Sequence, residues 1–159
     1  MEISARHHLR NDAIAAMDDA LIDAFGVAPD GDTYESISFT DREEEVIIVD
    51  GEPTILDIDG NIVYTVNGAN AVTPTKGVVV VDAGAVGFVS NGADIMRPGI
   101  VEADPSITPY DPVIIVEENH QKALAIGIAR VPGDEMTGEQ GKVIDSIHYV
   151  GDELFNFRP

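Results

Sequence analysis

The chain has 159 residues, 29 Asp and Glu against nine Lys and Arg, a formal net charge of −20, and neither cysteine nor tryptophan. Without cysteine there can be no disulfide, thiolate zinc site or cysteine nucleophile, and no apolar run approaches the ~20 residues of a helical membrane span. The length allows one domain or two small ones, and the start, Met1 to His8, has no apolar signal region, so a cytoplasmic protein is expected.

In chain order, Asn11 is placed to cap a helix in which Ile14, Met17, Leu21 and Ala24 or Phe25 recur at three- and four-residue intervals, ending at Gly26. Pro29 to Gly31 makes a turn. Val46–Val49, Thr54–Ile58 and Ile62–Val66 read as strands, with hairpin turns at Asp50-Gly51 and Asp59-Gly60. Asp57, Asp59 and Gly60 faintly resemble a calcium loop. In that register the first ligand falls on Ile55 and the closing glutamate on Val66, which excludes it. The polar stretch Asn67 to Thr75, with Pro74, is the expected junction between an α+β unit over 1–74 and a second unit over 75–159.

The segment from Lys76 to Val101 is the most distinctive. Four valines, Val78 to Val81, predict a buried strand. Asp82 suits the cap of a short helix whose apolar face is Ala85, Val86 and Val89, and Asn91-Gly92 gives it a left-handed stop. An extended stretch follows, which Pro98 confines to an edge or a bulge. Glycine inside a helix costs about 1 kcal/mol relative to alanine, so Gly84 and Gly87 imply either close packing on the sheet or close approach of a ligand. Val113–Val116 and Ala123–Ala129 are two further strands, joined by the polar residues 117–122. Val143–Val150 and Glu153–Phe157 form a last strand pair across Gly151-Asp152.

The order Asp82-Ala83-Gly84-Ala85-Val86 with Gly92-Ala93-Asp94-Ile95-Met96-Arg97-Pro98-Gly99 closely resembles the signature of a PUA domain, an RNA-binding module named for pseudouridine synthases and archaeosine transglycosylases. More narrowly, the chain resembles the two-domain archaeal and eukaryotic family that includes the malignant T-cell-amplified-sequence translation factor. The likeness is specific from Lys76 to the C-terminus, where the family also ends in a His-Tyr strand. Over the first 75 residues it rests on length and element order. It implies an α+β fold: a small N-terminal pre-PUA-like domain, then a PUA-like pseudo-barrel of mixed strands and short helices. It also implies an archaeal RNA-binding protein of the translation apparatus, of initiation or recycling type. The partners implied are tRNA or ribosomal RNA, the small ribosomal subunit and a density-regulated-protein-like protein. The eukaryotic members' basic, proline-bearing junction segment has no counterpart here.

On that resemblance the RNA lies along the short helix and the edge strand after it. The candidate contacts are Lys76, Gly84, Gly87, Gly92, Ala93, Met96, Arg97, Pro98, Gly99, Lys122 and Tyr149. Glycines admit the RNA backbone, Arg97 and Lys122 neutralise phosphate, and Met96 and Tyr149 pack against sugar or base. The alternative for Arg97 is a surface ion pair with a carboxylate.

Other motifs fit less well. Gly84-Ala85-Val86-Gly87 matches the Gly-x-x-Gly of a KH domain, but a strand leads into it and the central pair is apolar. The dinucleotide spacing G-x-G-x-x-G is missing, and an actin-type phosphotransferase needs a chain about twice as long. Ser90, His120 and His148 form no catalytic order, His7 and His8 lie at no metal-ligand spacing, and His148 in its alternating strand reads as structural. Binding without cofactor or metal is therefore expected, not catalysis. The charge reads as a solvated acidic surface suited to molar internal salt, where the Debye length falls to about 3 Å. Residues 1–75 carry sixteen Asp and Glu with three Arg, and residues 76–159 carry thirteen with six basic residues. The acidic first half also fits a protein–protein adaptor with a basic partner, and a third reading is an accessory subunit presenting tRNA to a modifying enzyme.

Overall fold

Met17, Leu21 and Phe25 recur every fourth residue and bury one face of helix α1 (Asn11–Phe25). Gly26, at φ 79°, ends it with its amide bonded to the Ile22 carbonyl. The cap is one residue earlier than expected, at Arg10, whose own side chain makes no capping bond; the Asp12 carboxylate accepts from the Ala13 amide at 3.0 Å instead. These features come from a computed structural model that describes residues 1–159.

Helix α1 packs against an antiparallel meander of five strands in chain order, β1 (Ile3–His8), β2 (Tyr34–Phe39), β3 (Glu45–Val49), β4 (Glu52–Ile58) and β5 (Asn61–Tyr64). The β3–β4 and β4–β5 turns have both central residues left-handed, at φ 50° and 88° for Asp50-Gly51 and 53° and 81° for Asp59-Gly60, as a type I′ hairpin requires. Strands β1 and β2 are additions to the sequence reading. All of β1 is exposed, so no apolar alternation marks it, and β2 hides its pattern because Ser36 is buried alongside Tyr34, Ile37 and Phe39.

The stretch Asn67–Thr75 lies between the two sheets, and its first part is folded rather than extended. Val66–Ala71 forms helix α2, with Val66, Gly68 and Ala69 buried. The Thr65 hydroxyl accepts from the Gly68 amide at 2.8 Å and donates to the Pro53 carbonyl at 2.9 Å. Polar residues and Pro74 made this stretch look like a linker, but its small residues let α2 pack tightly. A Cβ on Gly68 would stand 2.1 Å from the Thr54 carbonyl oxygen.

The second sheet contains β6 (Val78–Val81), β7 (Ile95–Met96), β8 (Ile100–Ala103), β9 (Pro112–Glu117), β10 (Ala123–Ala129) and β11 (Lys142–Tyr149). Its order is β7-β11-β10-β9-β6-β8, with β6 and β9 parallel and the other pairs antiparallel. Between β6 and β7 a 3₁₀ turn, Ala83–Ala85, runs into α3 (Val86–Val89), and Asp82 caps it as expected, its carboxylate accepting from the Ala85 amide at 2.9 Å. The extended stretch around Pro98 is shorter than expected. Strand β7 has two residues, and Arg97–Gly99 is a 3₁₀ turn, which suits proline's fixed φ and missing donor. The final strand pair is also corrected. Glu153–Asn156 forms helix α4, because Asp152 caps it by accepting from the Phe155 amide at 2.8 Å.

The second sheet is buried on both faces, which explains its continuous apolar runs. Val79, Val81, Val113, Ile115, Val143 and Ile144 fill one side. Val80, Ile114, Val116, Ala123 and Ile126 share a core with α1 and the first sheet. Leu154 of α4 joins that shared core, Phe157 meets Phe39 edge-on at 5.2 Å, and Arg42 pairs with Glu153. His148, fully buried as a structural residue, spans the two halves: its Nε2 accepts from the Val66 amide at 3.0 Å, so Nδ1 carries the proton and donates to Asp152 at 2.9 Å. The fold class is α+β, as expected. No helix is long and apolar enough to cross a membrane.

Candidate nucleic-acid interface

The 3₁₀ turn, α3 and the turn after β7 enclose a groove of about 470 Å³ lined by Asp82, Gly84, Ala85, Phe88, Val89, Ala93, Asp94, Ile95, Met96, Pro98 and Gly99. Its walls follow from the brevity of α3. With Val89 turned into the core, the adjacent Phe88 must face out, and it is 70% exposed. Met96, also in the lining, is 48% exposed, because an edge strand of two residues buries Ile95 and turns its neighbour outward. Large exposed apolar groups that share one concave surface mark binding sites more than isolated ones do.

The groove's polar groups are largely engaged. The Ala83 amide donates to Glu118 at 3.3 Å and the Ala85 amide to Asp82. Asp94 accepts from the Ser146 amide at 2.9 Å and lies 3.7 Å from the Lys142 ammonium. Lys142 in turn bonds Asp145 at 2.8 Å, and that hydrogen bond raises the pKa of Lys142 and lowers that of Asp145. Such a surface offers apolar contact first and charge second.

Of the residues expected from the sequence, Gly84, Ala93, Met96, Pro98 and Gly99 line the groove. Gly87 adjoins it on α3, and a Cβ there would meet nothing within 4 Å, so its lack of a side chain keeps that rim open. Gly92, at φ 88°, is held to glycine both by its backbone and by Tyr149, whose ring lies 2.6 Å from where a Cβ would stand. Tyr149 therefore underpins the turn after α3. Arg97 makes no ion pair with a carboxylate. Its Nε donates to the Glu135 carbonyl at 2.8 Å and its Nη1 to the Gln140 carbonyl at 3.1 Å, tying down the loop between β10 and β11. Lys76 and Lys122 are elsewhere: the Lys76 ammonium donates to the Asp23 carbonyl of α1 at 2.7 Å, and Lys122 lies in the β9–β10 connection. There Glu117 accepts the amides of Lys122, His120 and Asn119, which lower its pKa. Phe88, Ala85 and Asp94 were not among the expected contacts. The apolar pair Phe88-Val89 in so short a helix was the signal for the first, since only one of the two can turn inward.

The PUA domain model matches residues 77–150, the span that contains this groove. An uncharacterized protein of Methanocaldococcus jannaschii is similar at 45% identity over 123 residues, 77% of this chain and 75% of that one. The chain belongs to the PUA-domain proteins. Among solved structures, this PUA protein is similar to a hypothetical protein from Pyrococcus horikoshii OT3, with a TM-score of 0.86 and 30% identity over 95% of this chain and 98% of the other. It is also similar to a conserved PUA domain protein from Thermoplasma acidophilum, with a TM-score of 0.83 and 25% identity over 98% and 100%. Both likenesses extend over the first sheet and α1. Translation machinery-associated protein 20 of Saccharomyces cerevisiae is 41% identical over 86 residues, 50% of this chain and 48% of that one. Malignant T-cell-amplified sequence 1 of Danio rerio is 33% identical over 82 residues, 49% and 45% of the two chains. The PUA protein thus spans about half the length of these two relatives, and the expected kinship with their family holds.

Proposed function

We propose that this PUA protein binds structured RNA of the translation apparatus, a tRNA or ribosomal RNA, through the groove between α3 and the turn after β7. The observation that carries the reading is that the exposed Phe88 and Met96 line one apolar groove inside the matched 77–150 span. Kinship with a translation machinery-associated protein supports the setting, in which the RNA is met on the small ribosomal subunit, alone or with a density-regulated-protein-like partner. The role is binding, not catalysis. His148, the one buried histidine, is committed to the Val66 amide and to Asp152 and so serves the fold.

An unpaired base or ribose, such as those of a tRNA acceptor end, packs on Phe88 and Met96, while the bare rim at Gly87 lets the sugar–phosphate backbone pass. Base–aromatic stacking contributes about 1–3 kcal/mol per base, and it persists in salt that screens phosphate contacts. Titration of deacylated tRNA in molar potassium chloride tests this. Phe88→Ala is expected to weaken binding by about tenfold, and Gly87→Val to weaken it by obstructing the rim, with both variants folded, since neither side chain enters a core. Parent affinity in both variants would contradict the groove assignment. The acidic first half favours a second reading, an adaptor for a basic protein; a parent chain that takes up no RNA in this titration supports it.

A further inference from the structure

Beyond the groove, a second aromatic group has no structural use. Tyr110, in the loop between β8 and β9, is 71% exposed and sits at φ 73°, a left-handed conformation that bulky side chains rarely adopt. Its amide donates to the Ala129 carbonyl at 2.7 Å, and its hydroxyl has no partner in the protein. One face of the ring is met by the Arg130 guanidinium at 5.7 Å, and the remainder is open. A strained aromatic that gains no burial on folding is the pattern of a ligand contact.

We propose that Tyr110 and Arg130 form a stacking platform for a second unpaired nucleotide of the RNA whose neighbouring part occupies the groove. The inference rests on the RNA reading above. A continuous path joins the two places. Lys142 pairs with Met96 across β7 and β11 and reaches Asp94 of the groove at 3.7 Å. Its ammonium shares Asp145 with Arg130, at 2.8 and 3.2 Å. Arg97, two residues after the buried Ile95, adds a third cation at the start of β11 through its bond to Gln140. Lys142 and Arg97, with Arg130 of the platform, are three of the nine Lys and Arg of a chain with net charge −20, and Lys142 and Arg130 are paired with Asp94 and Asp145. Phosphates joining the two nucleotides compete with those carboxylates for Lys142 and Arg130, while the base covers the open part of the Tyr110 ring.

The chain lacks tryptophan, and Tyr34 and Tyr64 are 4% and 0% exposed, so the part of the tyrosine emission that a bound base can quench by contact comes from Tyr110 and the half-buried Tyr149. An oligoadenylate of about 12 nucleotides, titrated into the full chain, is expected to quench that emission. Tyr110→Ala should weaken binding at least about fivefold. Tyr110→Phe should keep the parent affinity and lose most of the quench, leaving only what Tyr149 contributes, and Arg130→Ala should weaken binding without abolishing it. If Tyr110→Ala binds as the parent does while Phe88→Ala is weakened, the platform is refuted and the groove stands. The reverse pattern supports the platform and refutes the groove. Failure of the parent to bind the oligonucleotide, while deacylated tRNA still binds and Phe88→Ala weakens that binding, refutes the platform and leaves the groove.

Discussion

Asp152 shows how one side chain can close a fold. Its carboxylate takes the His148 Nδ1 proton at 2.9 Å and the amides of Tyr149 and Phe155 at 3.0 and 2.8 Å. Burial alone would raise its pKa, but the bond from His148 and those from the two amides outweigh it and hold the carboxyl below the usual carboxylate range. A depressed folded-state pKa contributes stability that is present above the unfolded value, about 4, and is lost as pH falls through the folded one. Asp152→Asn should therefore lower stability at pH 7 by about 1–3 kcal/mol, and the gap to the parent should close as both are melted at successively lower pH below about 4. A gap that does not narrow would mean that the carboxylate's charge is not what matters. At this scale the sequence was informative about type and less so about partner. An alternating strand marked His148 as structural, yet nothing local showed that its ring would accept from Val66, 82 residues away. Arg97 was legible as a surface cation, but its carbonyl partners depend on how the β10–β11 loop closes.

Elements marked by their own residues were read correctly. The 3.6 period of α1, the valine run of β6, the Asp82 cap and the two Asp-Gly hairpins all carry local signals. Those set by tertiary contact were not. Strand β1 is held by pairing with β2 alone, α2 by close packing of small residues on β4, and α4 by a cap whose carboxylate also serves β11. The same division holds in the groove, where the glycine and proline positions were visible but the outward turn of Phe88 followed from the length of α3. Because Val66, Gly68 and Ala69 of α2 are buried, limited proteolysis of the native chain should leave 66–71 intact. Gly68→Val should open that segment to cleavage and destabilise the protein, since its Cβ would collide with the Thr54 carbonyl. Ready cleavage there in the parent would restore the picture of a linker.

The molecule as a whole joins two sheets through one shared core, with α4 returning the C-terminal residues to the first sheet. It should therefore melt in a single transition. Around that core lies a surface with 29 carboxylates and nine Lys or Arg, so most carboxylates have no cation to pair with. Their repulsion extends over about 10 Å at 0.1 M salt and about 3 Å at 1 M. The melting temperature should rise as potassium chloride is raised between these limits. A melting temperature independent of salt would contradict the screening argument. High salt also bears on recognition, because it leaves stacking and apolar contact as the dominant attractions and so favours a groove built from Phe88 and Met96.

Backbone amide shifts of the isotope-labelled chain, followed while deacylated tRNA is added in molar potassium chloride, test the central claim most directly. At 16.9 kDa the chain is suited to the measurement. The account predicts that the largest changes fall in 83–99, around the 3₁₀ turn, α3 and the turn after β7, with α1 and β1–β5 little affected. Changes concentrated on α1 and the first sheet, with 83–99 unmoved, would contradict it.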